Sequence, residues 1–163
     1  NSPKTSSIGR LFDGVASILG FHNDVDYEGE GAIYLEELGK RGNSKETYDY
    51  DICEEGRFVI DTSRVIQGIV SDFLNMVRLE DIALKFHNTI IRFSCDICIR
   101  IRRDTSLNTV ALSGGVFQNS ILLNGIKDKL LENGFKTLTH RIIPCNDSGL
   151  SVGQLYIANE LMR

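Results

Sequence analysis

The sequence has no apolar run near the ~20 residues that cross a bilayer, which excludes a membrane-spanning helix. No secretory signal is visible in its polar opening, NSPKTSS. An excess of positive charge is missing too. Its 18 Lys and Arg against 22 Asp and Glu leave a net charge of −4, which disfavours nucleic-acid binding. Cysteines number four, and only Cys95 and Cys98 form a C-x-x-C pair. No second such pair, and no H-x₃–₅-H, completes a four-ligand zinc set. The two thiols read instead as small buried residues on a helix, in a protein of the reducing cytoplasm. The lysine of the phosphate-binding signature G-x-x-x-x-G-K-S/T is absent, and so is G-x-G-x-x-G. Internal repeats and low-complexity segments are absent as well.

What remains is an ordinary globular composition, 42% apolar and 25% charged. The length of 163 residues suffices to bury a core as one domain or lobe. Charge is unevenly spread. Residues 22–61 hold 12 acids and 4 bases, whereas the rest holds 10 acids and 14 bases. Such a run reads first as a solvated acidic face. The chain opens on Asn1, which is the expectation for a piece of a longer polypeptide.

Hydrophobic periodicity predicts a helix over 7–19, capped by Ser6 or Ser7 and ended by Gly20. A short helix is expected at about 31–40. TYDYDI and RFVIDT flank CEEG and read as a β-hairpin. Residues 63–77 read as a helix. A longer one covers about 79–103, with Ile82, Phe86, Ile90, Phe93, Ile97 and Ile101 as a sustained apolar stripe. NTVALSG reads as a strand of the buried type. NSILLNGIKDKLLENG is a helix with Ile121, Leu122, Ile126 and Leu130 inward and Gly134 past its end. FKTLTH is a further strand, and NDSGLSVGQLYIANELM a loop passing into a last helix. The order is that of an α/β protein with parallel pairing.

Several positions carry possible chemistry. In LSGGVFQNS, Gly114 and Gly115 end a strand and Ser120 opens a helix. Ligands bind at that edge of α/β sheets, and helix N-termini present free amides to anions. A plain glycine turn accounts for the same residues equally well, with Asn119 as an N-cap. Asp147 in PCNDSG fits either an N-cap or a hard-cation ligand such as one for Mg²⁺. YEGEG is a surface turn with two acids. Asp13 is either solvated or an acceptor for sugar hydroxyls. The histidines, His22, His87 and His140, fall on different elements, and His87 reads as a satisfied structural residue.

TSSIGRLFDGVASILG, YEGEGAIYLEEL, FHNTI, LSGGVFQN and PCNDSGLSVGQ occur together in this order. Over nearly its whole length the chain therefore resembles the C-terminal part of the HypF family, carbamoyltransferases of nickel–iron hydrogenase maturation. The wider superfamily includes threonylcarbamoyl transferases of tRNA modification and antibiotic O-carbamoyltransferases. The resemblance implies an actin/sugar-kinase/heat-shock ATPase-like (ribonuclease H-like) fold, of which this chain is mainly the second lobe with helical additions. It implies one partial domain, 1–163. Within it, 1–45 would be nucleotide-contacting helices and loop, 46–106 the hairpin and long helices, and 107–163 the nucleotide and metal segment.

The implied chemistry uses ATP and carbamoyl phosphate to form carbamoyl-adenylate, then carbamoylates the C-terminal cysteine of a HypE-like acceptor. By residue, the resemblance assigns nucleotide contacts to Asp13, Gly29, Glu30, Gly114, Gly115 and Asn119, with Asp13 near the ribose. It assigns Asp147 to a divalent metal, of Mg or Fe/Zn type, shared with ligands on the other half of the domain. Three departures stand out: Glu30 where the family shows Gln, Tyr34 where it shows Glu, and NDSG for NDGG. Expected partners are the N-terminal domains of the same protein, the acceptor protein and a second copy of the lobe, since an orphaned lobe exposes apolar surface. Neither membrane nor nucleic acid is expected. The lobe alone is expected to be inactive. The rival readings are a threonylcarbamoyl or O-carbamoyltransferase of the same superfamily and a non-catalytic interaction module.

Overall fold

The computed structural model describes residues 5–21, 26–54 and 56–162; His22 and part of the acidic stretch lie outside them. Helix α1 is Ile8–Ile18, capped by Ser7, whose hydroxyl accepts the Arg10 N–H. It is followed by α2 (Glu30–Gly39), the strands β1 (Asp51–Glu54) and β2 (Phe58–Asp61), then α3 (Ser63–Leu74) and the long α4 (Leu79–Thr105). The last third runs β3 (Thr109–Leu112), α5 (Ser120–Glu132), β4 (Lys136–Thr139) and α6 (Leu150–Leu161), with short 3₁₀ turns at Gly115–Gln118 and Asp147–Gly149.

The core is helical. Phe12, Val15 and Ala16 of α1, Leu35 and Leu38 of α2, Val65 and Ile69 of α3, and Leu122, Ile126 and Leu130 of α5 close around α4. Helix α4 obeys the macrodipole at both ends, with Glu80 and Asp81 in its first turn and Arg102 and Arg103 in its last. Arg102 also fastens the C-terminal third. It donates to Asn108 Oδ1 (3.0 Å) and the Asn133 carbonyl (2.8 Å), and its guanidinium lies 3.9 Å from the Phe135 ring centre.

Among the described residues the strands form two separate pairs. β1 and β2 are an antiparallel hairpin; β3 and β4 are parallel, in register Thr109↔Lys136 to Leu112↔Thr139, and α5 makes the crossover. The expected strand–helix–strand order with parallel pairing is therefore present. Gly134 takes φ +76° beyond α5, as expected of that position.

Some boundaries differ from those the sequence suggests. The hairpin starts four residues later than TYDYDI implies. Tyr48 is drawn out of the ladder because its N–H bonds to Thr89 Oγ1 (2.8 Å) and its hydroxyl to Asp72 (2.9 Å). Helix α3 stops at Leu74, where Met76 enters the left-handed region at φ +57°. The stripe on α4 fades: Phe93 is buried, Ile97 is half-buried and Ile101 is exposed. The geometry explains this, since at 3.6 residues per turn Ile101 lies about 100° around the helix from Ile82. β3 is not a buried strand. Only Leu112 is buried, with Val110 half-buried and Thr109 and Ala111 exposed, so the strand buries one face alone. Ile121 is half-buried rather than inward.

Helix α6 makes no contribution to the core. All of its residues are exposed, including Leu150, Val152, Leu155, Tyr156, Ile157 and Leu161. Such a face is characteristic of an interaction surface.

Candidate functional site

The glycine segment follows β3 directly. Gly114 adopts φ +107° and ψ 157°, a region open essentially to glycine alone. Its N–H donates to the Cys145 carbonyl at 2.9 Å, and its carbonyl accepts the Phe117 N–H at 3.1 Å. The first bond draws the segment after β4 against the glycine loop. Ser113 Oγ and His140 Nε2, at the carboxyl ends of β3 and β4, meet at 2.8 Å and reinforce the same junction. Asp147 follows on that arm, exposed, in the turn that leads into α6. Gly114, Gly115 and the arm bearing Asp147 are thus brought together at the carboxyl edge of the parallel pair. The edge is the one at which α/β sheets bind ligands.

Asn119 has two engagements. Its Oδ1 accepts the Leu122 N–H at 3.0 Å, capping α5, and its Nδ2 lies 2.9 Å from His87 Nε2. With 7% exposure, it stands behind the loop rather than on its open face. Ser120 is tied to α2: its N–H and its hydroxyl donate to Glu36 Oε1, at 3.0 and 2.5 Å. Burial pushes the Glu36 carboxyl up, but the Ser120 bonds and the Lys40 ammonium outweigh it and hold it below its ordinary value.

Asp13, Gly29 and Glu30 form a second group at the other end of α2. A Cβ on Gly31 would stand 3.3 Å from Asp13 Oδ1, so Asp13 lies against the first turn of α2. Asp13 pairs with Arg10 at 3.6 Å and remains half-exposed. Gly29 is left-handed at φ +86°. The Glu30 carboxylate turns back to accept the Asp26 N–H at 2.9 Å, so it braces the turn. Tyr34 stacks on Phe21 with ring centres 4.9 Å apart. Glu30 and Glu36 are separated by about 9 Å of helix rise, so α2 spans the two groups.

A metal requires several converging donors. Among the described residues no three His, Cys, Asp or Glu side chains cluster to hold an ion. Asp147 alone does not make a site. Cys95 is buried and Cys98 half-buried on α4, and burial pushes both thiols up, as befits structural cysteines. Two shallow concavities of about 360 and 510 Å³ flank residues 47–52 and contain none of the glycine-loop residues. No helix among the described residues is long and apolar enough to cross a membrane.

Sequence patterning alone missed three contacts here: Ser113 with His140, Glu36 with Ser120, and His87 with Asn119. Each joins elements 27 to 84 residues apart, beyond the reach of any local pattern.

The family described as "Carbamoyltransferase, Kae1-like Domain, second subdomain" matches residues 1–154. The carbamoyltransferase HypF of Synechocystis is 36% identical over 94% of this chain, and the probable carbamoyltransferase HypF of Methanocaldococcus jannaschii 31% over 94%. The tRNA N6-adenosine threonylcarbamoyltransferase of Caldicellulosiruptor bescii is more distant, at 22%. A crystal structure of full-length HypF in the phosphate- and nucleotide-bound form superposes on 97% of the chain with a TM-score of 0.90 at 41% identity, covering 21% of that protein. HypF of T. kodakarensis does so with a TM-score of 0.83 at 27% identity, over 99% of this chain and 21% of that one. The chain spans about a fifth of the length of the HypF relatives it matches. It belongs to the HypF carbamoyltransferase family, as the second subdomain of the Kae1-like domain, an α/β ATPase-type fold with helical additions.

Proposed function

We propose that this chain forms one wall of the nucleotide cleft of a HypF-type carbamoyltransferase. Carbamoyl phosphate and ATP would supply carbamoyl-adenylate, and the acceptor would be the C-terminal cysteine of a HypE-like protein, in the cytoplasm. Gly114 and Gly115 would lie against the nucleotide, with no side chain to hold the phosphate or ribose away from the backbone. Asp13 and the Gly29–Glu30 turn would contact it from the far end of α2. Asn119 would act from behind, by holding the loop. Asp147 would offer one carboxylate oxygen to a cation whose other ligands come from the facing half of the domain. The exposed face of α6 would be covered by other parts of the carbamoyltransferase polypeptide, and in the isolated chain by a second copy.

The observation that carries this reading is the Gly114 N–H bond to the Cys145 carbonyl, which joins the glycine loop to the Asp147 arm at a ligand-binding sheet edge. A HypF relative of nearly the same fold bears a nucleotide. The HypF relatives are also more similar than the threonylcarbamoyl transferases, which favours HypF chemistry over that alternative. Titration calorimetry with ATP and Mg²⁺ tests the reading. Heat of binding is expected for the chain and is expected to weaken in Gly115→Ala and Asp147→Ala. Equal binding by both variants and the wild type overturns it. The chain alone is expected to release no product from carbamoyl phosphate and ATP, because among the described residues there is no clustered metal-ligand set and the facing half of the domain is not part of this chain.

A further inference from the structure

His87 is a fully buried titratable residue on α4 for which the nucleotide reading has no use. Its ring packs edge-on against Phe12 and Phe86, with centres 5.3 and 6.0 Å away. Packing alone would be served by an apolar side chain, but both ring nitrogens are engaged. Nδ1 lies 2.7 Å from the Ala83 carbonyl. A carbonyl only accepts, so Nδ1 carries the proton and Nε2 is an acceptor. Asn119 fits that assignment. Its Oδ1 is taken by the Leu122 N–H, which leaves Nδ2 to donate to His87 Nε2 at 2.9 Å. The bonds therefore run in one direction, from the Leu122 amide through Asn119 and His87 to the Ala83 carbonyl. Glycine at position 39 of α2 lets a third helix close on the ring. A Cβ there would stand 3.3 Å from His87 Nδ1 and 3.0 Å from Ile121 Cδ1.

An apolar residue at 87 would leave the buried Nδ2 of Asn119 without an acceptor, a costly state. Asn119 would turn toward water to recover a partner, and its Oδ1 would leave the first turn of α5. The 3₁₀ turn Gly115–Gln118 immediately precedes that residue. We propose that His87 is a positioning residue of the glycine loop: by accepting from Asn119 it fixes that side chain, the first turn of α5, and the presentation of residues 114–119 to ligand. The ligand side of this statement rests on the nucleotide reading above; the structural side does not.

The test uses the isotope-labelled chain with His87→Gln, His87→Leu and Asn119→Asp. Glutamine can offer an acceptor oxygen to Asn119, whereas leucine fills space without one. The wild-type imidazole is expected to be neutral and protonated at Nδ1 by ¹⁵N spectroscopy. In His87→Leu, exchange at the Leu122 amide should accelerate and ATP–Mg²⁺ affinity fall by about tenfold each, the equivalent of one net hydrogen bond. His87→Gln should restore both to within about threefold. Asn119→Asp keeps the cap oxygen but replaces the donor with an acceptor. His87 must then take up a proton to keep the bond, and its titration midpoint should rise by about one unit or more. Glu36 on α2 is the charged group already acting on this ring and is common to both proteins. An Nε2-protonated ring, or an unshifted titration in Asn119→Asp, overturns the proposal. So does a folded His87→Leu with wild-type exchange and amide shifts over 114–122. If the wild-type chain binds no ATP, the nucleotide reading fails, and the exchange and ring measurements still decide the role of His87.

Discussion

Gly114 and Gly115 are neighbours, yet alanine at the two positions should have opposite consequences. An added Cβ meets nothing within 4 Å at either residue, so crowding is not the issue. Gly114 stands at φ +107° and ψ 157°, and holding an L-residue there costs on the order of 1–3 kcal/mol. Relaxing the backbone instead would break the bond to the Cys145 carbonyl, a loss of about 1 kcal/mol. The chain takes the cheaper route, so Gly114→Ala should destabilise by about 1 kcal/mol. For a protein of this length that is a fall in Tm of about 2–4 °C. Gly115 lies outside the left-handed region, and Gly115→Ala should leave stability within about 0.5 kcal/mol of wild type. Its methyl would nonetheless project into the open space in front of the loop, where the nucleotide is proposed to lie. Thermal melts and ATP–Mg²⁺ calorimetry on both variants separate the two effects. Equal melting of both variants would refute the conformational argument.

Burial pushes the His87 imidazole below its ordinary value of 6.5, against smaller opposing effects of the Ala83 bond and Glu36. The unfolded chain then binds the extra proton first. The associated stability is whole above pH 6.5 and is lost as pH falls through the folded value. Urea melts between pH 7.5 and 5 should show that slope, and His87→Gln should flatten it. Gly125 of α5 faces Ile91 of α4 so closely that a Cβ would strike Ile91 Cδ1. Gly125→Ala gains about 1 kcal/mol of helix propensity but costs about 1–3 in overpacking. Removing that methyl in Ile91→Val should convert the net loss to a gain, with a coupling above about 0.5 kcal/mol in a double-mutant cycle. Additive effects would count against this contact. The exposed α6 face should make the isolated chain self-associate by light scattering, and Leu155→Lys with Leu161→Lys should return it to monomer. A wild-type monomer at all concentrations would show the face to be inert.

The helices were legible because their signals are local. Ser7 and the Phe12–Val15 spacing announce α1, and the run from Ile82 to Phe93 announces α4. The stripe misled only beyond Phe93, where two further steps of four residues drift from a 3.6-residue turn. The first strand was misjudged because Tyr48 answers to Thr89 and Asp72, partners that pairing propensity does not register. The glycine loop could be found in the sequence but not decided by it: a turn and a ligand loop need the same residues. What favours the proposed ligand loop over a plain turn is the bond from Gly114 to Cys145, made across 31 positions and invisible to any pattern. Asn119 was legible as a cap, whereas its bond to His87 needed α4 and α5 to be seen together.

The two halves of the candidate site are anchored unequally. The loop 114–119 is fixed from behind by Asn119 and Ser120, which bond to His87 of α4, in the core, and to the partly buried Glu36 of α2. The arm beyond β4 is held across to that loop by the Ser113–His140 and Gly114–Cys145 bonds, and then runs into α6, whose residues are all exposed. A helix of 12 residues with no packed face is marginal in water. Asp147 stands just before that helix, so its position is only as well defined as α6. Covering α6 would therefore do more than hide apolar surface: it would fix the carboxylate proposed to face the cleft. Amide hydrogen exchange should find α4 and α5 protected to near the global stability and α6 close to unprotected in the isolated chain. Addition of whatever covers α6 should slow exchange across 147–161 and sharpen any metal dependence of nucleotide binding, while Asp147→Ala removes the second effect and leaves the first.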